Sequence, residues 1–405
     1  MTATPHAHPH KLDVACYYHD PVKAPLLQAA VLPMADDLAA TGLAIHAERH
    51  WLHGSHVRLR LAGPADAVQA AAEDATTRLR RYLARHPSTV AISAAQHLAM
   101  AAVAGPIELL PPPYEPIHPD NTVRIEAVDE RPLADLLGSA AAVAYRADLL
   151  RLGLAPVAES MRFLSAHDQR AGARVRLALM VMARQAAAAT QGFRSGHLTF
   201  LSHLDDFLLY HDPGGQFAAR LAASWSRQGD AVTELVRAAV GLNPNGPATA
   251  ALVAAWGTWT DEALAAAGAG YVERALPLQP GDEYTARARL TGDPVAARRW
   301  DPEKRTEYSD YHAAIRQVDF RRLKHEREFV THRFCVNLLY QLLALCDVTA
   351  VERQAAAYLL VRAVQRITGV DSRGRLRLAV ATGALPLVTD PAAATLAIPR
   401  GSDHE

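Results

Sequence analysis

Several residue types and patterns that mark common protein classes are scarce in this sequence. Only three of its 405 residues are cysteine, which is too few for a disulfide framework or a paired-cysteine zinc site. Lys plus Arg and Asp plus Glu both number 42, so the formal net charge is zero. This balance argues against a protein whose main task is to neutralise nucleic-acid phosphates or anionic lipid.

Long apolar runs and phosphate-binding motifs are also missing. The sequence contains no stretch of about 18 uninterrupted apolar residues, so no membrane span is predicted. The N-terminal residues lack the apolar segment of a secretion signal. No glycine motif of the dinucleotide-binding or Walker type occurs. A cytoplasmic protein with reduced thiols is therefore expected, with no nucleic-acid or membrane partner.

The first 130 residues alternate between strand and helix patterns. Strands are predicted at Val14–His19, Leu43–Trp51, His56–Leu61 and Thr122–Ala127, and helices at Ala24–Thr41 and Asp66–Arg85. This order is that of a split β-α-β-β-α-β unit of the ferredoxin-like type. Before the last strand, the proline-rich segment Leu110–Pro116 predicts a stiff extended loop, of the kind that often lines a cleft.

From Leu133 onward, long periodic runs of Ala, Leu, Arg and Gln predict a mostly helical part. The fold class is therefore α+β. The predicted organisation is a disordered tail (1–12), a ferredoxin-like part (13–130), a helical part that packs on it to form the active cleft (131–370) and a C-terminal extension (371–405). Ser202 to Asp205 resembles a capping box and predicts the start of a helix.

The strand after Gly54 carries the first group of candidate binding residues. Val57, Leu59 and Leu61 alternate with cationic side chains, and the cationic set consists of His56, Arg58 and Arg60. Such a row presents forked donors to a carboxylate or a peptide carbonyl. The alternative is the solvated face of an antiparallel strand, and the spacing does not decide between the two.

The predicted helix at Thr331–Leu345 carries the second group. Arg333, Asn337 and Tyr340 share one stripe of this helix, and His332 lies on the adjacent, mostly apolar stripe. Tyr340 is a usable proton donor or acceptor if a nearby cation such as Arg333 stabilises its phenolate. The alternative is a core helix whose tyrosine and histidine only satisfy their own hydrogen bonds.

Two other constellations are less favourable. His46, His50, His53 and His56 have a spacing that would form a metal face on a helix, but the surrounding pattern predicts strand, turn and strand. Ser195 and Ser202 lie near histidines in the sequence, but no G-x-S-x-G nucleophile elbow is present.

Several of these segments, taken in order, resemble a known family. The segments are Tyr17 to Pro21, Arg49 to Leu59 (RHWLHGSHVRL), Tyr311-His312, Phe329, Arg333 to Tyr340 (RFCVNLLY) and Glu352-Arg353. They resemble the lantibiotic-dehydratase C-terminal domain, and more narrowly the stand-alone thiopeptide-type bacteriocin biosynthesis proteins. Ser55 stands where that family usually has proline. The similarity covers residues 13–370.

The resemblance implies an enzyme that matures ribosomally made peptides. Two activities share this family's fold. One is a formal [4+2] cycloaddition of two dehydroalanines, which forms a pyridine core and can release the leader peptide. The other is the elimination of glutamate from glutamylated Ser or Thr to give a dehydroamino acid. The resemblance implies no metal and no redox cofactor, and its partners are a leader-bearing precursor peptide and other modification enzymes of the same pathway.

Departures from the family pattern favour the cycloaddition. Glutamate-eliminating members carry a Glu- and Arg-containing segment that holds the glutamyl group, and its counterpart here, Tyr114 to Asp120, has lost that pattern. These members also place a histidine four residues before the helix asparagine, a position that Arg333 occupies here. Because Arg124 or His332 could substitute for the lost groups, elimination remains the second candidate. A non-catalytic scaffold that presents a peptide to another enzyme is the third.

The preferred mechanism assigns proton transfer to Tyr340, with Arg333 lowering its pKa and Asn337 orienting it. Arg58 and Arg60, with His56, Tyr114 and Arg124, are expected to bind the peptide or polarise its carbonyls. The leader peptide is expected to bind either to the sheet or to the basic helix near residues 313–328.

Overall fold

The computed structural model divides the chain into two compact units. It describes residues 9–243, 250–276, 281–301, 303–316, 318 and 325–372, together with 374, 376, 378 and 382. The first unit comprises the described parts of Met1–Arg162, Pro280–Trp300 and Leu338–Asp347. The second comprises those of Phe163–Gln279, Asp301–Asn337 and Val348–Glu405.

A four-stranded antiparallel sheet organises the first unit. Its strands are β1 (His10–Tyr17), β2 (Ala44–His50), β3 (His56–Gly63) and β4 (Thr122–Ala127), and their order is β2-β3-β1-β4. In the register, Val14 lies opposite both Leu59 of β3 and Ile125 of β4. The α+β prediction is confirmed, because the rest of the described chain is predominantly helical.

Helices connect the strands and continue along the chain. We name them α1 (Ala24–Leu26, with the π-helical turn Leu27–Val31 and Leu32–Ala39), α2 (Ala65–Arg85), α3 (Ala94–Glu108), α4 (Arg131–Leu137), α5 (Ala140–Leu152), α6 (Leu154–Ser165), α7 (Ala171–Ala187), α8 (Phe193–Gly196), α9 (Leu198–His211), α10 (Gln216–Ala239), α11 (Ala250–Val272), α12 (Gly281–Leu290), α13 (Pro294–Arg299), α14 (Asp310–Ile315), α15 (Arg327–Leu345) and α16 (Ala350–Thr368).

One face of the sheet is apolar and forms the core of the first unit. Val14 of β1 and Leu59 and Leu61 of β3 point to this face and are at most 1% exposed. Helices α1 and α2 pack on it and bury, among others, Leu26 and Leu79. Each fully buried side chain of this size contributes about 1.5–3 kcal/mol to folding, so this layer holds the sheet and its two helices together.

The β2-β3 turn depends on a glycine. Gly54 has a φ of +112°, which L-residues rarely adopt, and a Cβ added there would lie 3.1 Å from His19 Nε2. The tight turn between β2 and β3 that the sequence predicted is therefore present, and Gly54 packs closely against His19 and Tyr17.

Most element predictions for the first unit are confirmed, with two corrections. Strand β1 begins at His10 rather than Val14, because Lys11 and Leu12 pair with the end of β3, so the predicted tail is too long. Helix α3 was not predicted. Ser93 and Gln96 form a capping box at its start, and this S-x-x-Q pattern was the available signal.

The second unit is helical, and its hydrophobic core includes the paired Trp256 and Trp259 of α11. Helix α9 begins at Leu198, so the prediction that Ser202 begins this helix is wrong. Leu198 to Leu201 already continue the apolar period, and the chain is helical before it reaches Ser202. The predicted helix at 331–345 is confirmed as α15, and α16 follows it.

Some predictions fall outside the described residues. These are the first eight residues of the predicted tail, several positions of the basic segment 313–328 and most of the extension 371–405. Within the described chain, no helix is both long enough and apolar enough to cross a membrane.

Candidate functional site

The second face of the sheet is polar on all four strands, and we call it the polar face. Directly opposed residues of an antiparallel pair point to the same side, so the register defines its members. They are Ala44, His46, Glu48 and His50 of β2, His56, Arg58, Arg60 and Ala62 of β3, Lys11, Asp13, Ala15 and Tyr17 of β1, and Thr122, Arg124 and Glu126 of β4. Twelve of these fifteen residues carry a polar side chain, the exceptions being Ala15, Ala44 and Ala62, although several of the polar ones are buried.

Arg60 is held inside the unit by Asp13. Its Nε and Nη2 donate to the two carboxylate oxygens of Asp13 at 2.8 and 2.7 Å, and both side chains are buried. This forked geometry uses two of the three guanidinium nitrogens. The alternative of a solvated strand face is therefore wrong for Arg60 and also for His56, which is 5% exposed.

Glu48 lies at the centre of a second buried charge cluster. Arg146 of α5 makes a bidentate contact with it, and Arg58 Nη2 donates to its Oε2 at 3.2 Å. Burial alone would raise the pKa of Glu48, but Arg146 and Arg58 hold it well below its ordinary value. Arg146 Nη2 also donates to Oε1 of Gln341 in α15 at 2.7 Å, so the last turns of α15 approach the polar face.

Tyr17 occupies the β1 position of this face nearest the turn. Its hydroxyl donates to Glu126 Oε1 at 3.1 Å, and its ring contacts the imidazoles of His56 and His118 with centroids 4.7 and 4.6 Å apart. Burial and the adjacent Glu126 carboxylate both raise the pKa of Tyr17. Tyr17 is therefore a protonated phenol near neutral pH, and it can donate a proton but does not act as a base.

The imidazoles beside Tyr17 are neutral. Burial lowers the pKa of His56 to about 4, and Arg58 adds to this effect. Burial also lowers the pKa of His50, to about 3, and the two rings stack with centroids 5.6 Å apart. His56 Nδ1 lies 2.8 Å from the Gly54 carbonyl oxygen. If Nδ1 donates this hydrogen bond, Nε2 is the nitrogen that accepts protons.

Arg58 has donor capacity that the described residues do not use. Its Nε is buried and has no hydrogen-bond partner among them, although Nη2 contacts Glu48. An unsatisfied buried donor costs about 1–3 kcal/mol, and such groups are characteristic of binding and catalytic sites. Arg58 is thus the residue of the predicted cationic row whose geometry best suits a substrate carbonyl.

The two predicted stripes of helix α15 differ in their exposure to solvent. Arg333 and Tyr340 are half-buried and Asn337 is exposed, whereas the adjacent stripe is buried from His332 to Leu343. His332 is 8% exposed, and neither of its ring nitrogens has a hydrogen-bond partner among the described residues. Burial lowers the pKa of His332, so its ring is neutral and unpaired at pH 7.

The remaining predicted binding residues occupy different positions. The Tyr114 hydroxyl donates to the Leu110 carbonyl at 3.0 Å, and its ring contacts the Trp51 ring edge-on, so it braces the proline-rich loop. Arg124 is 51% exposed on β4, with its Nε 3.4 Å from Glu126. Arg124 and Tyr17 therefore share Glu126 at one end of the polar face.

The four histidines of the hypothetical zinc face lie on strands and a turn. His46 and His50 belong to β2, His53 to the turn and His56 to β3. Among the described residues, no three histidine, cysteine or carboxylate side chains are grouped closely enough to hold a metal ion.

The second unit contains its own polar cluster. Ser202 Oγ lies 3.1 Å from His312 Nε2, and Ser309 Oγ lies 2.9 Å from Nδ1 of the same ring. His203 lies nearby, and burial lowers its pKa to about 4. The sequence did place His312 in a family motif, but it did not indicate that Ser202 and Ser309 flank the ring.

Sequence reasoning missed most of the acidic half of the polar face. Asp13, Glu48 and Glu126 were not singled out, and neither was Tyr17 as a proton donor. Period-two alternation was recognised on β3 alone. Applied to β1 and β4 it would have found Asp13 and Glu126. No local signal identifies Arg146, whose role depends on how α5 packs on β2.

Two solved structures resemble this chain closely enough to define its fold. One is "Pyridine synthase, TbtD, from thiomuracin biosynthesis", with a TM-score of 0.62 and 18% identity over 89% of this chain and 99% of that one. The other is TsrL, with a TM-score of 0.60 and 16% identity over 91% and 98%. The resemblance that the motifs indicated is confirmed at the level of the fold.

A third structure resembles the chain more weakly. It is the tRNA-dependent lantibiotic dehydratase MibB from Microbispora sp. 107891, with a TM-score of 0.47, 12% identity, and coverage of 91% of this chain and 29% of that one. No protein-family model matches the sequence, and no curated protein matches it either.

Proposed function

We propose that this protein matures a ribosomally made precursor peptide by a formal [4+2] cycloaddition of two dehydroalanines. The observation that carries the proposal is the polar face, where a phenol, neutral imidazoles and a guanidinium with an unused donor line one side of a sheet. The pyridine synthase with the same fold supports this reaction class. We also propose that the sheet with α1 and α2 is a split β-α-β-β-α-β unit of ferredoxin-like type, because its strand order is β2-β3-β1-β4.

The reaction needs a proton relocated before any carbon bond forms. A backbone amide N–H next to one dehydroalanine loses its proton, and the amide oxygen gains one, which gives an iminol and hence a 2-azadiene. The cycloaddition then forms two carbon–carbon bonds to the second dehydroalanine, and nothing leaves. Loss of water and of the leader peptide afterwards makes the ring aromatic.

Tyr17 and His56 are the pair that we assign to this proton relocation. His56 is a neutral imidazole that can accept the amide proton, and Tyr17 is a protonated phenol that can donate one to the amide oxygen. Arg58 would polarise the same carbonyl through its unused Nε. Positioned acid and base groups contribute about 10²–10⁴-fold. The rest of the barrier is mainly entropic, and holding the two reacting ends together is worth about 7–11 kcal/mol at best.

Tyr340 remains a second proposed proton donor. It is half-buried, and it precedes Gln341, which contacts Arg146 on the polar face. Arg333 and Asn337 lie on the same stripe in the preceding turns of α15, and we retain them as proposed orienting residues. Arg60 is reassigned to a structural role, because Asp13 occupies two of its guanidinium nitrogens.

Glutamate elimination is the alternative, and one observation favours it. His332 is a buried neutral imidazole with both nitrogens unpaired among the described residues, which suits a base that removes an α-proton. Arg124 is the other residue that could replace a lost group of the family pattern, and its guanidinium is 51% exposed.

The proposed partners are the leader-bearing precursor and the enzymes that dehydrate it. Cys16, Cys335 and Cys346 are all buried free thiols, which supports a reducing, cytoplasmic compartment. Because no residue of the proposed reaction requires an electron acceptor, we assign no cofactor to it.

Mass spectrometry of the purified protein with two precursor forms tests the proposal. A precursor that carries dehydroalanines should lose water and its leader and yield a cyclic product. A glutamylated precursor should remain unchanged. Loss of glutamate from the second form would establish the eliminase instead, and binding of both without any mass change would indicate a scaffold.

A further inference from the structure

Strand β4 forms one edge of the sheet, and a groove runs between this edge and helix α2. No strand of the described chain pairs with β4 on its outer side. An edge strand carries unpaired N–H and C=O groups that can pair with another chain. The groove has a volume of about 490 Å³, and it is lined by Glu73, Thr76, Thr77, Arg80, Val123, Arg124 and Ile125.

Thr76 gives the groove an unused hydrogen-bonding group. Its side chain is 7% exposed, and its Oγ1 has no hydrogen-bond partner among the described residues. A helical threonine ordinarily bonds its hydroxyl to a carbonyl in the preceding turn, but Thr76 does not. A buried hydroxyl without a partner destabilises the free protein, and a ligand in the groove would supply the missing bond.

The charges around the groove favour an acidic ligand. Arg80 is exposed and makes no hydrogen bond or ion pair with any described residue. Arg124 is 51% exposed, and among the described residues its only ion-pair contact is the one at 3.4 Å to Glu126. Glu73 is the single acidic residue in the lining, and of the two lining guanidinium groups Arg80 is the one without an ion-pair partner among the described residues.

We propose that β4 and this groove bind an extended, acidic segment of the substrate peptide, which adds to the sheet as a fifth strand. The inference rests on the proposed function only for the identity of the peptide. Side chains of an added strand alternate between the two sheet faces. Acidic side chains opposite Val123 and Ile125 would enter the groove, where Arg80 and the Thr76 hydroxyl line the helix side. The apolar side chains that alternate with them would lie on the polar-face side, beside Arg124. A peptide anchored there would extend alongside Tyr17 and Glu126.

Fluorescence anisotropy with the full-length protein tests the inference. The probe is a fluorescein-labelled octapeptide that alternates Val and Glu, and the comparison peptide alternates Val and Lys. Arg80→Glu should weaken binding of the Glu probe at least tenfold. Arg81→Glu, which changes the same charge on the next residue of the helix but outside the groove, should weaken it less than threefold. Hydrogen exchange should show protection of the amides of residues 122–127 when the probe is bound.

Thr76→Val separates a binding role from a structural one. This variant keeps the shape of the side chain and removes the unpaired hydroxyl, so the free protein should melt at a higher temperature while the probe binds at least threefold more weakly. Equal affinities for the Glu and Lys peptides would overturn the inference, and so would an equal loss of affinity in Arg80→Glu and Arg81→Glu. It would also be overturned if sedimentation showed that the protein self-associates and that this association, rather than the probe, protects the β4 amides. A protein that converts the dehydrated precursor but ignores the Glu probe would refute this docking site and leave the proposed reaction standing.

Discussion

The Tyr17 hydroxyl donates a hydrogen bond to Glu126 across the β1-β4 pair, at 3.1 Å. Tyr17 is 1% exposed, so its phenol is almost wholly removed from solvent, while Glu126 retains partial exposure at the sheet edge. The carboxylate both orients the phenol and raises its pKa. This pair therefore holds a protonated phenol at the end of the polar face.

Tyr17→Phe should lower kcat for ring formation by about 10²–10⁴-fold, because it removes the proposed acid and leaves the ring contacts with His56 and His118 in place. KM should change little. Glu126→Gln is the matched test of orientation, and it should cause a smaller loss of kcat. Full activity in Tyr17→Phe would exclude this residue from the chemistry.

Tyr340→Phe tests the phenol on α15 in the same way. If Tyr340 carries the proton transfer, turnover should be abolished while peptide affinity, measured by isothermal titration calorimetry, stays within about twofold. Tyr358→Phe on α16 is a suitable control, since that tyrosine is also half-buried in a helix. If Tyr340→Phe retains activity and Tyr17→Phe does not, the polar face alone holds the acid.

Acid should destabilise the protein through His56. Its pKa is about 4 in the folded protein, against about 6.5 for an unperturbed histidine. Below about pH 6.5 His56 is protonated in the unfolded chain but stays neutral in the folded protein. The free energy of unfolding therefore falls as the pH drops from about 6.5 to 4. The loss from this one group between pH 7 and pH 5 is about 2 kcal/mol.

Urea unfolding at both pH values measures this effect. His56→Gln should show a smaller decrease between pH 7 and pH 5 than the unchanged protein. The pKa values of His46 and His50 are also lowered by burial, so some acid sensitivity should persist in the variant. An identical pH dependence in His56→Gln would contradict the neutral assignment of this ring.

The Asp13–Arg60 pair should behave as a buried ion pair. Asp13→Ala leaves Arg60 buried without its partner and should reduce the free energy of unfolding by about 3–5 kcal/mol. Replacing both residues, as Asp13→Leu with Arg60→Met, should recover most of that loss, because no charge is then left unpaired. If the double variant keeps catalytic activity, Arg60 has the structural role assigned to it, whereas a loss of activity in a stable double variant would return it to the substrate site.

The elements that depend on local patterns were predictable from the sequence. Strand β3 follows from strict alternation of apolar and cationic residues, and β4 was located at its observed bounds. Helix α15 and its two stripes follow from spacing alone, since residues three and four apart share a face. Local capping signals were less reliable. The Ser93–Gln96 box was overlooked, and Ser202 was taken for a helix start although the apolar period had already begun before it.

The candidate site likewise has features that the local sequence predicts and features that depend on tertiary contacts. The sequence by itself determined which side chains share each strand and each helix face, because backbone geometry fixes those periodicities. It also determined that β3 carries a cationic row. The tertiary structure alone decided that Arg60 is bonded to Asp13, that Glu48 receives Arg58 and Arg146, and that Tyr17 meets Glu126. Those contacts join residues from about 10 to 109 positions apart, and their energies depend on burial, which no local pattern specifies.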